Sequence, residues 1–299
     1  MDTTFEIAAG FDDNPAEVSK AEGSGMVRYR AQLEQSVWMK ETGSGLDIYL
    51  DTIYSQYFDV DDNYLLRAGG ELSSALWKDR IQAGLFGEVA VYRDDLVMED
   101  EYNTLLIGGS LQWLADVRLT VSLEGAYSRV DYQNPVSFPG QRSYAVGMGR
   151  GKSPGGRNQT VPNEWITYAQ KDSSWYMGMT ATYAMGPDVQ ADLTLLYRDL
   201  ESSADYESYQ EIGGVSRLVW FGPDSLEVFV SAYWSERDYD VSPESDVRSD
   251  DVYGFGLGGS RYLGSMQLFI QFDQSATDSP ISGENYQKSV ILCGASYSF

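Results

Sequence analysis

Eighteen charged side chains recur at alternate positions in segments whose intervening positions are mostly apolar. They set most of the chemistry open to this chain. The acids are Glu6, Glu34, Asp47, Asp51, Glu71, Glu88, Glu124, Asp192, Glu211, Glu227 and Asp273. The bases are Arg28, Arg30, Arg67, Arg118, Arg198, Arg217 and Lys288. Eleven acids against seven bases leave the set at −4. Fixed charges of this kind can pair across a wall, attract counter-ions or set the sign of an aqueous passage. They offer little to catalysis. The 299-residue chain has no His and one Cys, Cys293, which removes Ser-His-Asp and Cys-His nucleophiles, imidazole metal sites and internal disulfides. A carboxylate pair could still serve as acid and base, but these acids sit among many others. The expectation is that the chain is not an enzyme and carries no cofactor.

Two other groups have chemical potential. Asp59-Val60-Asp61-Asp62-Asn63 and Glu99-Asp100-Glu101 supply oxygen ligands for weak Ca²⁺ or Mg²⁺ binding, without the twelve-residue spacing of an EF-hand loop. The segment 133–173 has a basic, glycine-rich centre, GRGKSPGGR at 149–157. Its Arg142, Arg150, Lys152 and Arg157 could fold inward against acids and narrow a passage, or stay at the surface and meet lipopolysaccharide phosphate. The spacing GxxxxGK[ST] of a phosphate loop is missing. With 21 Lys+Arg against 45 Asp+Glu the net charge is −24, which excludes binding to nucleic acid through phosphate contacts.

The elements that would position these charges show period-two alternation from end to end. Leu226, Val228, Val230, Ala232 and Trp234 share one face of a segment, for example, and Glu227, Phe229, Ser231 and Tyr233 the other. Fourteen such segments are expected, at 3–11, 26–39, 46–58, 64–77, 80–92, 102–114, 117–132, 174–185, 188–198, 209–221, 224–239, 251–263, 265–273 and 286–299. Most run to about a dozen residues, where soluble strands average about five or six and tilted membrane strands need about 9–11. Their connections alternate between tight and long. The tight ones are 40–45, 78–79, 115–116, 186–187, 222–223 and 264; the long ones are 12–25, 59–63, 93–101, 133–173, 199–208, 240–250 and 274–285. No run of about 20 apolar residues exists for a spanning helix, and mean hydropathy is −0.34. A closed barrel is the other way to satisfy the backbone in lipid. Trp38, Trp77, Trp113 and Trp220 fall beside short turns. Tyr54, Tyr57, Tyr92, Tyr102, Tyr127, Trp175, Tyr197, Tyr209, Trp234, Tyr253 and Tyr286 fall towards the long loops. Both sets are expected in interfacial belts, although parity puts Trp38 and Trp77 on the polar face, so the short-turn belt is imperfect. The inward stripe Gly254, Gly256 and Gly258 would make room for an inserted loop or permit sharp curvature.

The last six residues, Gly294-Ala295-Ser296-Tyr297-Ser298-Phe299, resemble the terminal strand of Gram-negative outer-membrane β-barrels. Gly294, Tyr297 and Phe299 carry the likeness, while Leu292 stands where that signal usually has a polar residue. The resemblance implies insertion by the barrel-assembly machinery. Gly10-Phe11-Asp12-Asp13-Asn14 is similar to the first strand of barrels that follow tetratricopeptide domains, such as the surface lipoprotein assembly modifiers. That likeness implies a fourteen-stranded barrel working with a periplasmic helical-repeat scaffold.

The expected architecture is all-β: one fourteen-stranded antiparallel transmembrane barrel over 1–299, with short periplasmic turns and longer extracellular loops. Both termini would be periplasmic. The expected function is an outer-membrane channel for small hydrophilic solutes or an exported molecule, its lumen leaning towards cations. The rivals are an export or assembly barrel with a periplasmic partner, and a structural barrel plugged by 133–173 whose outer loops bind a partner. Outer-membrane lipid and lipopolysaccharide would surround it.

Overall fold

Alternation of apolar and polar residues puts two chemically different faces on each strand, and the computed structural model shows how those faces are used. It describes residues 1–16, 23–39, 43–77, 80–96, 100–134, 136–138, 166–168, 170–203, 207–240, 248–280 and 285–299. The strands in chain order are β1 (Asp2–Asp12), β2 (Ser24–Met39), β3 (Ser44–Tyr57), β4 (Asn63–Leu76), β5 (Ile81–Asp94), β6 (Tyr102–Asp116), β7 (Leu119–Tyr132), β8 (Val136–Phe138), β9 (Ile166–Tyr168), β10 (Lys171–Ala184), β11 (Val189–Ser202), β12 (Tyr209–Gly222), β13 (Leu226–Tyr239), β14 (Ser249–Leu263), β15 (Met266–Asp278) and β16 (Tyr286–Ser298). Fourteen of them form a closed barrel, each antiparallel to its neighbours, with β7 pairing β10 directly. The short strands β8 and β9 pair with each other outside it; nothing in the alternation pattern marks them.

Closure is made by β1 against β16, in a register running from Thr4 opposite Ser298 to Asp12 opposite Val290. The segment after β1 then locks onto β16. Asn14 Nδ2 donates to the Gln287 carbonyl at 2.8 Å, the Ser289 amide donates to Asp13 Oδ1, and Lys288 pairs with Asp12 at 3.4 Å. The Asn14 amide returns to Asp12 Oδ1 at 3.0 Å, an Asx turn that fixes the bend. The Gly10–Asn14 motif is thus a clasp over the seam. Leu292 is buried against Ala8 and Met26 inside the seam, with Tyr57, Phe269 and Val290 packed beside it. That packing accounts for an apolar residue at this point of the terminal strand.

Four boundaries differ from expectation for physical reasons. Arg118, expected on the wall, lies in the tight turn between β6 and β7, where its carbonyl accepts from the Ala184 amide at 2.9 Å. Parity runs unbroken through a two-residue turn, so alternation alone cannot end a strand there. Residues 223–225 form a 3₁₀ turn with positive φ at Asp224 and Ser225, so β13 starts at Leu226 rather than 224. At the long-loop end, β11 continues to Ser202 and β15 to Asp278, past the expected 198 and 273. Beyond the lipid both faces are wet, so hydrophobic alternation stops while the hydrogen-bonded ladder goes on.

The distribution of polarity is inverted relative to a water-soluble domain. Outward positions hold large apolar side chains open to the surroundings, such as Leu85 at 67 % and Ile107 at 58 % exposure, while Asp12, Asp51 and Asp250 are among the most enclosed side chains described. Outward aromatics form two levels: Tyr54, Tyr127, Trp175, Tyr197, Trp234 and Tyr253 towards the long loops, and Trp113, Tyr183, Trp220 and Tyr297 towards the short turns. Trp175 and Tyr183 stand on the same strand, β10. Their separation is about 27 Å along the strand, or about 21 Å along the axis at a tilt of about 40°, near the roughly 25 Å apolar band of an outer-membrane barrel.

The inward glycines seat aromatic rings. A Cβ on Gly258 or Gly254 would strike the Phe229 or Tyr233 ring of β13, and one on Gly108 or Gly69 would strike Phe86 or Tyr49. Gly256 instead faces the Ser231 hydroxyl and the Asp273 carboxylate. The stripe on β14 therefore makes room for neighbouring side chains.

Candidate functional site

Opposed residues of an antiparallel pair point to the same side, so register places the expected charges on the barrel's interior and decides which of them meet. Arg28 stands opposite Ala8 and reaches diagonally to Glu6 at 2.9 Å. Arg30 stands opposite Glu6 yet binds Asp51 of the next strand at 2.8 Å. Arg67, directly opposite Asp51, binds the same carboxylate. One enclosed acid therefore joins β2, β3 and β4. Tyr49 donates to Glu88, a separate tie from β3 to β5.

Across the barrel Glu211 plays the corresponding part. It accepts from Ser235 at 2.7 Å and pairs with Arg237 at 3.2 Å and Arg198 at 4.0 Å. Arg217 meets Glu227 at 3.4 Å and lies over the Phe229 ring at 4.7 Å. Asp192 accepts from Gln190 at 3.1 Å, and Asp273 from Gln271 at 2.6 Å. Lys288 belongs to the seam clasp.

Seven of the wall acids form no ion pair among the described residues. Glu88, Asp192 and Asp273 accept from Tyr49, Gln190 and Gln271, whereas Glu34, Asp47, Glu71 and Glu124 lie together in the half of the wall nearer the short turns. Asp47 stands directly opposite Glu71, an arrangement that costs energy when both are ionised. Ser110, opposite Glu124, donates to Glu71 at 3.4 Å. These residues make a strip of negative charge from β2 to β7, facing a wall that carries Arg198 and Arg217.

The mouth holds groups that sequence reasoning misplaced. Tyr57, Tyr92, Tyr102 and Tyr209, expected in the outer belt, share parity with the inward faces of their strands, as does Tyr286. Tyr132 and Tyr239 join them. Tyr92 and Tyr102 stack at 5.3 Å, Tyr102 meets Tyr132 edge-on at 6.1 Å, and Tyr209 meets Tyr239 at 5.3 Å. Arg237 lies 5.4 Å from the Tyr209 centroid and Arg248 3.8 Å from that of Tyr239, with Arg248 also paired to Asp250 at 2.6 Å. Parity along each strand carried the signal for this inner ring; sorting by chain position alone hid it.

Arg142, Arg150, Lys152 and Arg157 lie outside the described residues. The Asp59–Asn63 cluster does not converge on a common point: Asp62 accepts from Tyr54 and from the Tyr57 amide at 2.9 Å. No group of three or more acid or Cys side chains is placed to hold a metal ion among the described residues. Gly294 stands opposite Ala8 at the closing seam, and Tyr297 and Phe299 present their rings to the outside, 4.9 Å apart edge-on.

No protein-family profile matches the sequence, and no curated protein matches it either. Solved structures do. A loop-deletion mutant of OmpT, an outer membrane protein of Vibrio cholerae, superposes with a TM-score of 0.52 at 8 % identity, covering 99 % of this chain and 98 % of that one. A structure described as a bacterial polysaccharide outer membrane secretin gives 0.53 at 9 % identity, with 99 % and 98 % covered. Identities this low speak for fold alone. The chain has the fold of a Gram-negative outer-membrane β-barrel, closed by fourteen antiparallel strands.

Proposed function

We propose that this barrel is a passive conduit for small hydrophilic solutes across a Gram-negative outer membrane, favouring cations over anions. The observation that carries the reading is the strip of Glu34, Asp47, Glu71 and Glu124 on the inner wall, unmatched by ion pairs among the described residues. An interior built only for bracing would pair its charges, as Asp51 and Glu211 do. Fixed carboxylates beside an aqueous path raise the local concentration of cations. The long connections 12–25, 59–63, 93–101, 199–208, 240–250 and 274–285 hold 22 acids against Lys20, Arg93 and Arg248, and they act in the same sense over roughly a Debye length of 8–10 Å. In this reading the short turns and both termini face the periplasm, and the chain performs no catalysis.

Reconstitution into planar bilayers under a KCl gradient tests the proposal. The expected reversal potential is that of a cation-selective pore, moving towards zero in the Glu71→Gln, Glu124→Gln double variant. Anion selectivity, or selectivity indifferent to both substitutions, refutes it. A barrel that inserts but never conducts favours a plugged structural role instead.

A further inference from the structure

The inner tyrosines divide into two halves with different partners. On the β12–β14 side, Tyr209 and Tyr239 each carry a guanidinium over the ring. On the β3–β7 side, Tyr57, Tyr92, Tyr102 and Tyr132 line one cavity of about 260 Å³, and no guanidinium or ammonium of the described residues lies over their faces. Asp94 and Asp100 open onto the same cavity. Lys288 is there too, paired with Asp12 at 3.4 Å. Tyr92 donates its hydroxyl to Asp94 at 2.6 Å, which fixes ring and carboxylate as one unit.

We infer that this cavity binds small organic ammonium ions, the alkylated kind that aromatic cages recognise. Ring faces carry negative quadrupole potential and attract a diffuse cation, most strongly where water is excluded. Carboxylates beside them supply the long-range attraction. The other half of the same ring shows that these tyrosines accept a cation over the face when the chain supplies one. A bare metal ion suits the cavity less well, since it needs several converging oxygens and the described residues gather no such set. The space is that of about nine waters at roughly 30 Å³ each, room for a polyatomic cation rather than a single ion. The inference rests on the conduit reading in one respect: it takes the mouth as the place where solutes first meet the barrel.

Saturation-transfer NMR on the full chain in detergent micelles tests it, with choline as probe and 3,3-dimethylbutanol as its uncharged isostere. Choline is expected to bind saturably and at least tenfold more tightly than the alcohol. Tyr102→Leu is expected to weaken choline tenfold or more. Tyr102→Phe, which keeps the ring, should stay within about threefold of the parent, as should Tyr209→Leu on the arginine-covered side. Asp94→Asn should weaken choline but not the alcohol. Equal binding of the two probes, no choline signal from folded barrel, or a Tyr102→Leu variant that binds as the parent does would each overturn the inference. Binding is read without current flow, so its failure is separable from failure of the conduit in bilayers.

Discussion

Asp51→Asn is the sharpest test of how the inner wall is braced. The Asp51 side chain is 2 % exposed, and it holds Arg30 at 2.8 Å together with Arg67, each of which keeps 34 % of its side chain open. Removing its charge leaves two guanidinia converging on a neutral amide. A fully buried pair that loses one partner costs about 3–5 kcal/mol, and an exposed pair about 0–1 kcal/mol. With an enclosed acid and part-open bases, the expected loss is about 2–3 kcal/mol, or roughly 30- to 140-fold in the folding equilibrium. Reversible urea unfolding in micelles, followed by tryptophan fluorescence, should show a lowered midpoint at unchanged slope. The cycle is completed in an Arg30→Met, Arg67→Met background. There Asp51 is an enclosed charge with no cation beside it, so Asp51→Asn should become stabilising. An equal loss in both backgrounds refutes the bracing argument.

Gly258→Val should displace the Phe229 ring from its seat and cost about 1–3 kcal/mol, with Phe229→Leu restoring part of the loss in the same unfolding assay. Asn14→Ala removes the clasp's bond to the Gln287 carbonyl and should lower stability by about 1–2 kcal/mol, seen as a lower temperature for the shift in gel migration between folded and unfolded barrel. Deleting residues 140–160, the basic stretch, should raise single-channel conductance if those charges restrict the passage; unchanged conductance discards that role.

The strands were legible because lipid on one side and water on the other impose period two on any sequence that must satisfy both. Leu226 to Trp234 shows the rule. The rule lapses where the two environments become alike, which is why Asp199–Ser202 and Gln274–Asp278 read as loop although they belong to β11 and β15. Individual ion pairs were less legible. Arg30 opposes Glu6 yet binds Asp51, a choice set by diagonal reach across the pleat rather than by spacing along the chain. The split of tyrosines into outer and inner sets was available from parity alone. The arginines over Tyr209 and Tyr239 were not, because they depend on how β12, β13 and β14 meet above the membrane.

The clasp bears on the order in which the barrel comes together. Every other neighbouring pair of barrel strands joins segments nearby in sequence, apart from β7 and β10 across their long connection. The final pair joins residues such as Thr4 and Ser298, 294 positions apart, and closing a flexible loop of that length costs about 5 kcal/mol in chain entropy. The ladder of that pair gains nothing from closeness in sequence, and Asp12, Asp13 and Asn14 hold its outer end. In the finished wall the line between β1 and β16 is held by these contacts as well as by its ladder.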